Sequence, residues 1–342
     1  MALTASSKYV SGVISSAAGA VARWIVPTLA VAAVAFMGVT AETAQVSSPA
    51  VRLASDGNPL AGQTFYVNPD SKAMRAAKGA GSPELDAIAN TPTAYWMDNV
   101  SSLAVDSKYI ATAQAAGTMP ILALYGIPHR DCGSYAAGGF GSADAYKGWI
   151  DGVAAAIGSG PAAVILEPDA LAMADCLSGA QRQERFDLMS YAVDTLTRNP
   201  ATALYIDAGH SRWVSAPEMA NRLNQVGVAK ARGFSLNTAN FFTTDEEIGY
   251  GDAISGAVGG KPYVIDTSRN GAGPAGGDMY WCNPSGRALG VPPTTATGNG
   301  NVDAFLWVKR PGESDGSCGT GEPSAGTFVN QFAVDLVRNA GH

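Results

Sequence analysis

The chain reads as an α/β protein in which seven or eight parallel strands form a barrel. Three observations carry that expectation. Strand-like and helix-like segments alternate along most of its 342 residues, at the spacing of strand–helix–strand units. The runs 119–127 and 163–166 are continuously apolar, as strands covered on both faces are. Several strand ends also deliver an aspartate just past the last apolar residue, the rim where such barrels place their chemistry.

Residues 1–41 stand apart. Lys8 and Arg23 precede an apolar run over 24–39, short for a membrane span, and small residues at 39–41 suit a signal peptidase. The expectation is an export signal or, if uncleaved, a signal anchor. The protein is then secreted to the extracellular side, with a membrane contact only through that segment. Residues 42–58, small and polar, read as a flexible tether, and 59–342 as one catalytic barrel. A strand at 65–69 opens the sheet and a helix at 71–80 follows. The remaining strands fall at 93–98, 119–127, 163–166, 203–207, 233–237, 262–266 and 303–308. Helices fall at 102–116 (broken by polar residues), 142–158 (capped by Ser142), 181–198 (stopped by Asn199-Pro200), 217–226, 245–258 and 327–339.

A net charge of −7 with no basic cluster argues against nucleic acid as a partner. The four cysteines, Cys132, Cys176, Cys282 and Cys318, suit disulfides in an exported chain, and the sequence leaves all three pairings open. A zinc site would need a Cys-x-x-Cys spacing that is absent, and no metal or other cofactor is expected.

The chemistry resides in the strand ends. Val164-Ile-Leu-Glu167-Pro168-Asp169 stops pairing at Pro168 and presents Asp169; Asp131, Asp207 and Asp315 follow three other strands. Carboxylates gathered on one rim raise one another's pKa values. Asp169, with the most apolar approach, is the candidate acid, and Asp131 could keep it protonated unless Arg130 claims it. Trp96, Trp213, Trp281 and Trp307 lie at or beyond strand ends, whereas Trp149 sits mid-helix. Indole faces stack on sugar rings while leaving hydroxyls to polar groups, although barrel-end tryptophans also serve as packing. Plainer roles exist for the others: Asp169 as a helix cap, His210 in a turn, Lys309 as a solvated charge, Asp315 as turn chemistry.

Leu124-Tyr125-Gly-Ile-Pro-His-Arg130-Asp131-Cys132-Gly133, Leu166-Glu-Pro-Asp169, Asp207-Ala-Gly-His210, Trp281-Cys282-Asn-Pro and Trp307-Val-Lys309 with Glu313-Ser-Asp315-Gly occur in that order. Together they resemble glycoside hydrolase family 6, from about residue 59 to the end. The resemblance implies a distorted TIM-like barrel, sequential disulfides and inverting hydrolysis of β-1,4-glucosidic bonds. It casts Asp169 as proton donor, Asp131 as its support and Asp315 as the proposed base. Tyr125 would press on the distorted sugar and Trp96 would stack on it. Asp207, His210, Trp213, Asn237, Trp281, Lys309 and Glu313 would line the cleft. The family's water-holding serine is replaced here by Ala137, with only Ser134 nearby.

The expectation is a monomeric cellulase acting on β-1,4-glucan polysaccharide or cello-oligosaccharides. A short chain between Lys309 and the final helix favours an open cleft and endo action over a cellobiohydrolase's exo action. The rivals are a glucan-binding protein with little turnover, suggested by Ala137, and a metal-dependent hydrolase of phosphate esters.

Overall fold

The computed structural model describes residues 57–319 and 321–341. The expected export segment and all but the last two residues of the expected tether lie outside that range. Asn58, at the end of that tether, donates from Nδ2 to Asp303 O at 2.6 Å.

Seven strands form one parallel sheet in sequence order: β1 Tyr95–Asp98, β2 Ile121–Tyr125, β3 Ala162–Leu166, β4 Thr202–Asp207, β5 Gly233–Leu236, β6 Tyr263–Asp266 and β7 Val302–Leu306. The sheet curls until its edges approach, and Ala94 N, just before β1, donates to Trp307 O, just after β7, at 2.9 Å. No β1–β7 ladder forms, so the barrel is distorted and incompletely closed.

The expected strand at 65–69 is a correction. Phe65 makes a single parallel bridge to Met119, and no eighth strand forms among the described residues. Asn68 turns the chain there by accepting Asp70 N on Oδ1, and Pro69 has no N–H to give a ladder.

Alternation along the strands sorts two cores. Ile121, Ala123, Ala163, Ile165, Ala203, Tyr205, Val264, Ala304 and Leu306 fill the interior, capped by Leu60 and Met119. Four of these are alanines, because a seven-stranded interior leaves room for few large side chains. Leu122, Leu124, Val164, Leu166, Leu204 and Ile206 face outward. They pack against α3 Leu103–Ala115, α4 Ala143–Ile157, α5 Gly179–Leu196, α6 Ala216–Gln225 and α7 Thr244–Ala257. At the amino-terminal end of the barrel, Tyr205 Oη and Arg232 Nε both donate to Asp303 Oδ2, at 2.7 and 2.8 Å.

A third cluster joins α1 Lys72–Ala80, α2 Pro83–Ala89 and α8 Asn330–Asn339 around Trp307. Helix α2 was not expected, although Ser82-Pro83-Glu84 carries an N-cap hydroxyl, an N1 proline and a first-turn acid. Helix α3 is unbroken, since its polar Asp106 is buried and accepts from Tyr95 Oη (3.0 Å) and Ser101 Oγ (2.8 Å). Helix α8 starts at Asn330 because Phe328 pairs with Glu313 in a bridge.

Candidate active site

Eight non-glycine residues have positive φ among the described residues: His129, Asp131, Cys132, Glu167, Asp169, Asn237, Ala239 and Asn283. All follow strands at the carboxyl-terminal rim or lie in the connection from β6 to β7. Such conformations persist only where surroundings enforce them, and they concentrate at functional sites.

The enforcement around Asp169 is visible bond by bond. Glu167, fully buried, accepts Gly126 N (3.0 Å) and Ile127 N (3.0 Å) from the loop after β2. Asp207, at the end of β4, accepts Asp169 N on Oδ1 at 3.0 Å, and Gly209 N on the same atom. Two neighbouring strand ends thus hold the Asp169 backbone through buried carboxylates. Burial first, then the charges of Asp207 and Asp131, push the Asp169 carboxyl well above its ordinary range, with Lys309 opposing. Burial likewise raises Asp207 to about 6, against four hydrogen bonds from its surroundings.

On the β2 side, Asp131 accepts Ala136 N at 2.7 Å, and burial raises its carboxyl against that bond and the Arg130 charge. Arg130 is not its ion-pair partner. The guanidinium donates to Tyr125 O and Ala136 O and lies 4.4 Å from the Tyr125 ring centre, bracing the loop. Tyr125 meets Trp96 edge-on at 5.3 Å, and Trp96 Nε1 donates to Val308 O across the open edge of the barrel. A disulfide between Cys132 and Cys176 ties the Asp131 loop to the segment after Asp169, with Cα atoms 6.4 Å apart.

On the β7 side, Asp315 stands between Arg269 Nη1 and Lys309 Nζ, each 2.8 Å away, and accepts Asn283 N at 3.0 Å. Burial alone would raise this carboxyl, but the two cations outweigh it and bring it down to about 2. Cys282–Cys318 closes that loop, giving the sequential pairing the resemblance implied.

The other expected residues divide. His210 is buried, stacks on Phe242 at 4.3 Å with Trp213 at 5.1 Å, and is driven neutral by burial, down to about 4. Trp213 is 39% exposed, and Trp281 is half-buried beside Tyr135. Asn237 is spent on the fold: Nδ2 donates to Phe242 O and Asp266 O, and Oδ1 accepts Phe242 N. Glu313 pairs with Arg310 (2.7 Å) and Lys72 (3.5 Å) instead of joining the carboxylate cluster. Trp307 is packing, buried with Nε1 on Val291 O.

Sequence reasoning missed Glu167, Arg269 and Asp266. Asp266, at the end of β6, accepts four backbone amides, from Ala239, Ser268, Val308 and Lys309, and so ties three rim loops together. Its signal was available: an apolar strand ending in aspartate, as at Asp207.

The model of "Glycosyl hydrolases family 6" matches residues 60–340. An endoglucanase A of Cellulomonas fimi is 46% identical across 81% of this chain, which spans 61% of that longer protein. An endoglucanase 1 of Streptomyces halstedii is 43% identical over 80% of this chain and 88% of its own. Among solved structures, the endoglucanase Cel6 of Mycobacterium tuberculosis, in complex with methyl-cellobiosyl-4-deoxy-4-thio-β-D-cellobioside, is 65% identical. It covers 84% of this chain and all of its own, with a TM-score of 0.82. The catalytic core of a Chaetomium thermophilum cellobiohydrolase is 28% identical, covering 83% of this chain and 99% of its own, with a TM-score of 0.72. The curled seven-stranded sheet, the rim carboxylates and the matched span agree: this chain belongs to glycosyl hydrolases family 6.

Proposed function

We propose that the protein is a secreted, monomeric, endo-acting glucanase that hydrolyses β-1,4-glucosidic bonds in cellulose-like chains with inversion. The observation that carries this is Asp169: a carboxyl pushed well above its ordinary range at the barrel rim by burial and by two neighbouring carboxyls, beside Tyr125, whose ring meets Trp96. In the reaction Asp169 gives its proton to the glycosidic oxygen as the C1–O bond breaks. A water oxygen bonds to C1 from the opposite face and loses a proton to solvent. Asp131 supports the proton on Asp169 beforehand and the positive charge that develops on the sugar. Asp207 holds the Asp169 backbone. Trp96, Trp213, Trp281 and Tyr125 supply apolar surface to sugar rings, and His210 backs Trp213.

Asp315 does not take the water's proton directly. A carboxylate brought down to about 2 between two cations is a poor base near neutral pH, so activation runs through further water. Asn237 and Glu313 act as braces behind the cleft. The endo reading is supported by the endoglucanase names of the relatives at 40–46% identity, over the cellobiohydrolases at 29–31%.

Proton NMR of the first products from cello-oligosaccharides tests the mechanism, with the α-anomer expected; the β-anomer would contradict it. Asp169→Asn is expected to lower sugar release by about 10²–10⁴-fold with glucan binding intact. If the parent binds soluble glucans but releases nothing, the glucan-binding reading suggested by Ala137 replaces this one.

A further inference from the structure

The turn after β4 that carries Trp213 is held from two directions. Its first half belongs to the sheet: Gly209 N donates to Asp207 Oδ1 at 3.0 Å, and Gly209 O accepts Asn237 N, just past β5, at 2.7 Å. Its second half belongs to α7. Ser211 N donates to Glu247 Oε1 at 3.0 Å, and Ser211 Oγ to Glu246 Oε1 at 2.7 Å. Arg212 gives Glu246 two more bonds, at 2.7 and 2.8 Å. One turn further along α7, Tyr250 Oη donates to Val214 O at 2.7 Å. Trp213 is thus bracketed in the chain by residues that one helix holds.

Glu247 stands out in this bracket. It is fully buried, and its Oε2 has no hydrogen-bond partner. A charged carboxylate is costly in such a place, whereas a neutral acid keeps the Ser211 bond and leaves little unpaid. Burial raises the Glu247 carboxyl to about 7 against the Ser211 bonds, and the charges of Glu246 and Asp207 add to the rise. The other groups around the turn hold one state near neutral pH. His210 is brought down to about 4 by burial, Glu246 and Arg212 hold each other's charge, and burial pushes Tyr250, Tyr263 and Tyr280 up.

On the glucanase reading above, we infer that Glu247 is a positioning residue that, through Ser211, sets where the Trp213 indole stands to receive a sugar ring. Its protonated form does this. As pH rises through about 7 the carboxyl ionises, with a bare oxygen beside Glu246 and Asp207. That charge favours a turn lifted from α7, where water reaches the carboxylate, so the indole leaves its place and glucan is held less tightly. Proton transfer from Asp169 is insulated from this movement, because Asp207 and Asn237 hold Gly209 independently of α7.

The test measures kcat and KM on cellohexaose from pH 6 to pH 8.5 for the parent, Glu247→Gln and Glu247→Ala. In the parent KM should rise by about 2- to 10-fold across that span, on the order of one hydrogen bond. Glu247→Gln, whose amide oxygen still accepts Ser211 N but does not titrate, should keep the low KM throughout. Asp207, raised to about 6, titrates in both proteins and cancels from the comparison. Glu247→Ala should raise KM by about 2- to 10-fold already at pH 6, with kcat within about twofold of the parent. A KM that is flat in the parent, or that rises equally in Glu247→Gln, overturns the inference. So does a Glu247→Ala enzyme that loses kcat with KM unchanged; if that variant does not fold, the Gln comparison decides. A parent that neither binds nor cleaves cellohexaose overturns the glucanase reading as well, whereas an active parent whose KM ignores Glu247 overturns this inference alone.

Discussion

Replacing Asp315 by Asn separates an ion-locked carboxylate from a free catalytic base. Asp315, Arg269 and Lys309 keep only 7%, 5% and 12% of their side-chain surface exposed, so solvent screens the triad little. Bringing the carboxyl from 3.8 to about 2 corresponds to about 2.5 kcal/mol of preference for the charged form. Removing one partner of a buried pair costs about 3–5 kcal/mol, because the remaining charge is stranded. The two scales converge on a loss near 3 kcal/mol for Asp315→Asn, since the amide still accepts Asn283 N but leaves two cations facing each other. Urea unfolding should show a lower midpoint with an unchanged slope, and melting should fall by about 6–12 °C. The pH dependence has a definite sign. A depressed carboxyl contributes stability that is present above its unfolded value and lost as pH falls through about 2. The gap between parent and variant should therefore narrow from pH 5 towards pH 2. Equal stabilities at pH 6 with catalysis abolished would refute the ion-lock argument and return Asp315 to the role of free base.

Other outcomes follow from the same geometry. Restoring a hydroxyl by Ala137→Ser should raise kcat by about 2- to 10-fold, the worth of one hydrogen bond to the attacking water, and a flat result would assign that water to backbone groups. Glu167→Ala leaves the Gly126 and Ile127 amides without their acceptor and should cost about 2–4 kcal/mol, read by urea unfolding, while Tyr125 and Asp131 lose their register. Glu167 is raised by burial to about 7 and Asp207 to about 6, so both favour the folded state most when protonated. Their stabilising contribution is full below about pH 4 and is lost as pH rises through 6 to 7, so melting temperature should fall between pH 5 and pH 8.

The fold was legible wherever one physical signal dominated. Continuous apolar runs at 163–166 and 203–206 marked strands buried on both faces, and those strands formed. The chain at 65–69 looked equally strand-like, but Asn68 and Pro69 convert it to a turn after one bridge, which is local chemistry that hydrophobicity does not register. Asp106 suggested a broken helix because nothing in the sequence reveals hydroxyl partners as distant as Tyr95. At the site, Asp131, Asp169 and Asp207 were readable as strand-end carboxylates, and in the structure the charges of Asp207 and Asp131 act on Asp169. Side-chain direction was not readable. Trp307 and Glu313 each follow the last strand as the rim tryptophans and aspartates do, yet they point into the α1–α2–α8 layer and towards Lys72. Arg269 escaped notice because its meaning comes from Asp315, 46 residues away.

The central claim is that Asp169 carries a proton at the pH where the protein works. Carbon-13 NMR of protein labelled at the aspartate carboxyls, with Asp169 assigned by its absence in Asp169→Asn, reads this directly. The account predicts a resonance that titrates well above the ordinary aspartate range. A carboxyl that titrates near 4, as an ordinary aspartate does, would contradict it.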